Sequence, residues 1–220
     1  MSSDPVDELR LEGQTVFLPV GMPCSGKSTM FKAAASLPGI GENLSLVCPD
    51  AIREELHPGY EAGVVRFGDI DNLMIFEKAE DQLYRLIVDG YDVWFDAMNV
   101  FSSHRRGRMF EVELAELDPA FSGDPVRFIV IHLDVPFDEI LRRNQACRVG
   151  LRRPPVERLE EMAGWLREDD PEQPSEVVDV WRLVWDGTWK PAEGFTPGPV
   201  CSALIEATNA FASPSGRRRP

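Results

Sequence analysis

Residues Gly21-Met22-Pro23-Cys24-Ser25-Gly26-Lys27-Ser28 place two glycines, a lysine and a hydroxyl at the spacing G-x-x-x-x-G-K-S. Glycines at these positions let a loop curl until successive backbone N–H groups converge on phosphate oxygens. A helix starting just beyond adds the positive end of its dipole. Lys27 has the reach for the β- and γ-phosphates of a nucleotide, and the Ser28 hydroxyl can ligate Mg²⁺. Thr29 supplies a further hydroxyl, and Cys24 acts as a small filler of the loop. The cofactor-binding set is therefore Gly21, Cys24, Ser25, Gly26, Lys27, Ser28 and Thr29, and the ligand it predicts is a nucleoside triphosphate, ATP with Mg²⁺. The flanks agree. The apolar run Thr15–Val20 reads as a buried strand, with Pro19 near its end, and Thr29–Ser36 reads as helix.

Further chemistry follows the later strands. Leu44–Cys48 is a second strand, and Asp50 and Arg53 stand just beyond it, one helical turn apart. An acid there can take a proton from an attacking hydroxyl, with the arginine holding the acceptor; equally, Asp50 can simply N-cap the short helix Ala51–Leu56. The third strand, Asp92–Phe95, runs into Asp96-Ala97-Met98-Asn99, and Arg105 follows. The fourth, Val126–Leu133, leads through Asp134-Val135-Pro136 into a helix ending near Ala146. Between Arg142 and Arg153 lie five arginines and no acid (Arg142, Arg143, Arg148, Arg152, Arg153), a local charge of +5. The next stretch, Glu157–Glu176, carries −6. Arg105, Arg106 and Arg108 form a second basic cluster. These two places are where an anion is expected.

The elements that must position these groups alternate. Helical spacing marks Asp71–Asp89, Arg105–Leu117 and Val156–Arg167; Val177–Val184 is a last strand, and Ala203–Phe211 a closing helix. Buried strands alternating with helices predict a doubly wound α/β protein in which a parallel sheet carries helices on both faces. Ligands of such sheets sit at the carboxyl ends of the strands. Residues 1–13 read as an N-terminal extension, 14–212 as one domain, and 213–220 as a disordered basic tail.

Taken in order, GMPCSGKST, DAIR, DAMN and RRN…RRPPVERLEEM resemble the kinase module of the polynucleotide 5′-hydroxyl kinases, the phage end-healing type and its RNA-repair relatives. The resemblance runs over about residues 14–167 and implies that 14–212 is a P-loop kinase domain, a three-layer P-loop NTPase fold with an arginine-rich lid at about 142–155. It implies that Asp50 is the general base for the acceptor hydroxyl and that Arg53 contacts the acceptor's neighbouring phosphate. It also implies that Asp96 and Asn99 order the acceptor side, with Asp96 touching Mg²⁺ through a water, and that Arg105 joins the substrate-binding set. Arg143 and Arg148 would be lid arginines neutralising the transferring phosphoryl group, alongside Lys27. The lid loop after Asn144 is slightly longer than in the phage enzymes, leaving Arg152 and Arg153 as rivals of Arg148. No phosphatase-type D-x-D-x-T segment follows.

The formal charge of −14, from 23 Lys+Arg against 37 Asp+Glu in 220 residues, disfavours broad attachment to nucleic acid or anionic membranes and points to a small or single-stranded acceptor. No apolar run is long enough to span a membrane, and the acidic start of the chain is unlike a secretory signal. Four dispersed cysteines, Cys24, Cys48, Cys147 and Cys201, predict a reducing, cytoplasmic setting. Kinases of small metabolites, toxin-type kinases, kinases of hydroxymethylated DNA bases and a non-catalytic NTP-binding module remain as alternatives. The late tryptophans (Trp165, Trp181, Trp185, Trp189) read as core or hairpin packing and His132 as a core position.

Overall fold

Apolar, β-branched runs become strands wherever helices cover both of their faces. In the computed structural model, which describes residues 9, 11, 13–60, 71–146, 154–168 and 174–212, five such runs form parallel strands. They are β1 (Thr15–Val20), β2 (Leu44–Val47), β3 (Asp92–Phe95), β4 (Arg127–Asp134) and β5 (Val178–Trp185). A sixth, β6 (Trp189–Pro191), pairs antiparallel with β5, and the sheet order is β2-β3-β1-β4-β5-β6. β6 is absent from the sequence-based expectation. It is too short for a hydrophobic pattern, although Asp186-Gly187 is the turn signal of a hairpin.

The helices are α1 (Lys27–Ala34), α2 (Pro49–Leu56), α3 (Asn72–Val88), α4 (Ser102–Glu116), α5 (Phe137–Ala146), α6 (Val156–Glu168) and α7 (Pro199–Ala212). Most bounds fall within a few residues of expectation. α1 starts at Lys27 rather than Thr29, and α4 at Ser102 rather than Arg105. Every β1 residue is buried, because the sheet is packed on both sides. Val16, Leu18 and Val20 meet Ile75, Ala79, Leu83 and Ile87 of α3 and Val112 and Ala115 of α4. Phe17 faces the opposite layer with Met30, Ala33 and Ala34 of α1 and Leu204 and Ile205 of α7. The apolar positions of α3 recur every four residues, and the Asp71 carboxylate caps the helix by accepting from Leu73 N at 3.0 Å.

β1 lies between β3 and β4, so the chain crosses from one side of β1 to the other, and the crevice this opens lies beyond the carboxyl ends of the strands. The loop after β1 sits there. Among the described residues no helix is long and apolar enough to cross a membrane. His132 is half-buried on β4 rather than fully in the core. Trp181 and Trp189 are core residues, while Trp185 is half-buried. Arg148, Arg152, Arg153, Cys147, the tail from 213 and parts of the expected loops lie outside the described residues.

Candidate active site

Gly21 leaves β1 under a severe steric limit. A Cβ there would lie 2.8 Å from Ser25 Oγ and 3.3 Å from Leu133 Cβ, so only glycine lets the loop close. Cys24 (φ 64°) and Gly26 (φ 112°) then turn the chain through the left-handed region into α1. The first-turn N–H groups of Lys27 and Ser28 have no intrahelical acceptor, as at any helix start. Thr29, also in that turn, is exposed. Ser25 is buried, and its hydroxyl has no hydrogen-bond partner among the described residues. The result is a ring of donors at the positive end of a helix.

Lys27 folds over this ring. Its Nζ donates to the carbonyls of Gly21 (2.9 Å) and Met22 (2.8 Å). Burial holds its pKa below the ordinary lysine value, and the carboxylates of Asp96 and Asp50, then Cys24, pull the other way. Both acids therefore lie within electrostatic reach of the lysine, although they follow different strands. Ser28 Oγ donates to Asp96 Oδ2 at 2.7 Å. A hydroxyl and a carboxylate brought together at the mouth of a phosphate loop form a hard-oxygen pair. Mg²⁺ is usually held by one or two carboxylates together with substrate phosphates, and these two residues fit that pattern. Among the described residues no group of three or more His, Cys, Asp or Glu side chains is arranged to hold a metal by itself.

Asp96 is held by a turn with unusual support. Gly21 N donates to Met98 O at 3.1 Å, so the turn after β3 is bonded directly to the start of the phosphate loop. Asn99, at φ 47° and 3% exposed, donates from Nδ2 to Pro19 O (3.0 Å) and Phe95 O (3.1 Å). Arg105, with no exposed surface, donates to Asn99 O and Val100 O, both at 2.6 Å. These two positions correct the expectation of substrate contacts. Both side chains face inward, and what they hold is the backbone carrying Asp96. The second basic cluster is corrected with them. Arg108 is also buried, 4.6 Å over the Phe95 ring, and desolvation pushes its pKa down to about 10 despite Glu80. Of the three arginines only Arg106 is exposed.

At the end of β2, the N-cap of α2 is Cys48, not Asp50, which sits one residue inside the first turn behind Pro49. Capping therefore does not account for Asp50. Its carboxylate is partly exposed and ion-paired with Arg53. Arg53 is 6% exposed and its fork is occupied: Nε and Nη2 donate to Asn72 Oδ1 at 3.2 and 3.1 Å, and Nη1 to Asp50. Arg53 thus braces Asp50 from below, rather than facing outward as a phosphate contact requires. Asn72 had no sequence signal, since nothing local links it to Arg53.

Arg143 reaches the loop from the last turn of α5. Its Nη1 donates to Cys24 O (3.2 Å) and Ser25 O (3.0 Å), and its Nε to Glu139 Oε1 (2.7 Å). Neighbouring Asn144 is buried, donates to Pro154 O at 3.0 Å and accepts from Cys24 Sγ at 3.9 Å, tying the start of α6 to the loop. The structure therefore brings Lys27, Ser28, Asp96, Asp50 and Arg143 to one place, and turns Asn99, Arg105 and Arg53 into their support. Glu139 was legible as the i−4 partner of Arg143 on a helix.

No family model matches this sequence, and no curated protein matches it. Solved structures do share its fold. A protein from Chloroflexus aurantiacus j-10-fl, described as a kinase, superposes with a TM-score of 0.54 at 17% identity, over 78% of this chain and 85% of that one. A chain of the Pnkp1/Rnl/Hen1 RNA repair complex superposes with a TM-score of 0.52 at 19% identity, over 73% of this chain but only 46% of its own length. At these identities the likeness establishes the architecture. The chain has the α/β fold of the P-loop kinases.

Proposed function

We propose that this chain is an ATP-dependent phosphotransferase whose acceptor is a polynucleotide or nucleotide-borne hydroxyl of the 5′-OH type. The observation that carries this is the meeting, around one phosphate loop, of a lysine within electrostatic reach of two carboxylates, a Ser28–Asp96 pair and an arginine bonded to the loop carbonyls. Phosphoryl transfer is mostly positioning and charge stabilisation, and these are the groups it needs. The loop N–H groups and Lys27 bind the phosphates. Asp50, held by Arg53, accepts the proton of the acceptor hydroxyl as its oxygen attacks the γ-phosphorus and the bond to the β-phosphate oxygen breaks, releasing ADP. Arg143 offsets charge on the transferring group; Arg148 is the further arginine the resemblance suggests. Mg²⁺, held by Ser28 and through a water by Asp96, would supply charge neutralisation between the phosphates. A reducing, cytoplasmic setting completes the proposal.

Incubation with γ-labelled ATP, Mg²⁺ and a single-stranded oligonucleotide bearing a 5′-hydroxyl tests it directly. Label on the oligonucleotide supports the assignment. Label only on a hydroxymethylated base, a sugar or a small alcohol would move the acceptor to the alternative kinase classes. ATP binding without turnover on any acceptor would leave an NTP-binding regulatory module.

A further inference from the structure

Arg143 is held by three partners of different kinds. Besides the loop carbonyls, Glu139 accepts from its Nε at 2.7 Å, and its guanidinium carbon lies 4.3 Å over the ring of Trp185. Glu139 in turn accepts from both Arg142 and Arg143. Those bonds, Arg142 first, hold its carboxyl down at about 2, so the acid stays ionised across the whole working pH range. Trp185 is itself braced. Trp189 meets it edge-on with ring centroids 5.4 Å apart, and Trp189 N and O pair with the Asn209 amide of α7 at 2.7 and 3.0 Å. The indole of Trp189 also closes over the loop: a Cβ on Gly26 would lie 3.4 Å from Trp189 Cζ2 and 3.7 Å from Arg143 Nη1.

A long, flexible arginine ordinarily loses considerable rotamer freedom when it docks, and a rigid aromatic face with a carboxylate at its edge removes that freedom in advance. A planar guanidinium stacked on a ring keeps its in-plane donors free to point at the loop, which an ammonium in the same place cannot reproduce.

We propose that Trp185 and Glu139 are positioning residues that seat Arg143 on the phosphate loop, making the β5–β6 hairpin a working part of the nucleotide site. This rests on the proposed role of Arg143 in offsetting charge on the transferring group. The seat should matter more for a γ-phosphate than for a β-phosphate, so the first readout is the ratio of ATP to ADP affinity, which needs no acceptor and no turnover.

Trp185→Leu and Glu139→Gln should each lower that ratio about threefold to tenfold, and Trp185→Phe should restore most of it. In an Arg143→Ala background neither substitution should lower it further, because both act through Arg143. Where turnover is measurable, kcat should follow the same non-additive pattern. Equal losses with and without Arg143, or an unchanged ratio in the folded Trp185→Leu and Glu139→Gln variants, would overturn the proposal. If Trp185→Leu fails to fold, Glu139→Gln carries the cycle by itself. Failure to phosphorylate any oligonucleotide refutes the acceptor assignment and leaves this affinity test intact.

Discussion

Asn99→Ala separates an acceptor-binding residue from a structural one. The side chain is 3% exposed and donates to Pro19 O and Phe95 O at 3.0 and 3.1 Å. Removing the amide deletes both of these hydrogen bonds in a buried turn, at about 1 kcal/mol each, and leaves Phe95 O with the 2.9 Å donation from Ala97 N. Alanine also tolerates φ 47° less well than asparagine, adding about 1 kcal/mol. The buried Oδ1 has no partner among the described residues, so its loss returns a little of the total. The net is about 3 kcal/mol, and for a domain of this size about 2–4 °C per kcal/mol, which places the fall in thermal midpoint at about 6–12 °C. Asn99→Gly, which keeps the positive φ at no steric cost, should fall by roughly a third less. Circular dichroism melts of the three proteins measure this. Kinetics at 20 °C, where all are folded, should show the acceptor KM within about twofold of wild type, because the side chain never faces the crevice. An unchanged midpoint with a raised acceptor KM would refute the reasoning and return Asn99 to the acceptor site.

Asp50→Asn should cut kcat by about 10²-fold or more while ATP affinity, measured by calorimetry, stays near wild type, since the base acts on the acceptor alone; full activity would remove Asp50 from the chemistry. Lys27→Ala should lower transfer on the order of 10²-fold or more, measured as label transferred per minute, and near-normal turnover would sink the phosphotransfer proposal. Burial pushes the Cys201 thiol up to about 12. The folded chain therefore keeps a proton there that the unfolded chain loses near pH 9. Stability from this group is intact below pH 9 and falls as pH rises towards 12, so Cys201→Ala should flatten the alkaline limb of a denaturant-midpoint profile. At pH 8 Cys201 should resist iodoacetamide until the protein unfolds.

Local features were legible in the sequence for a physical reason. The phosphate loop is nine contiguous residues whose glycines, lysine and hydroxyls act on the backbone they belong to, so its chemistry needs no distant partner. The strands β1 and β4 declared themselves through apolar runs covered on both faces. Burial of an arginine carries no such signature. Arg105 in the core, Arg53 in its clamp and Arg143 on the loop are the same residue type in similarly polar surroundings. What separates them is which elements pack over each. The contacts that make a site of these pieces span 68 residues from Ser28 to Asp96 and 119 from Cys24 to Arg143, so only the sheet order brings them together. β6 is the same case at the level of an element. Three residues have no pattern of their own, and Trp189 becomes a strand residue because β5 on one side and Asn209 on the other satisfy its backbone.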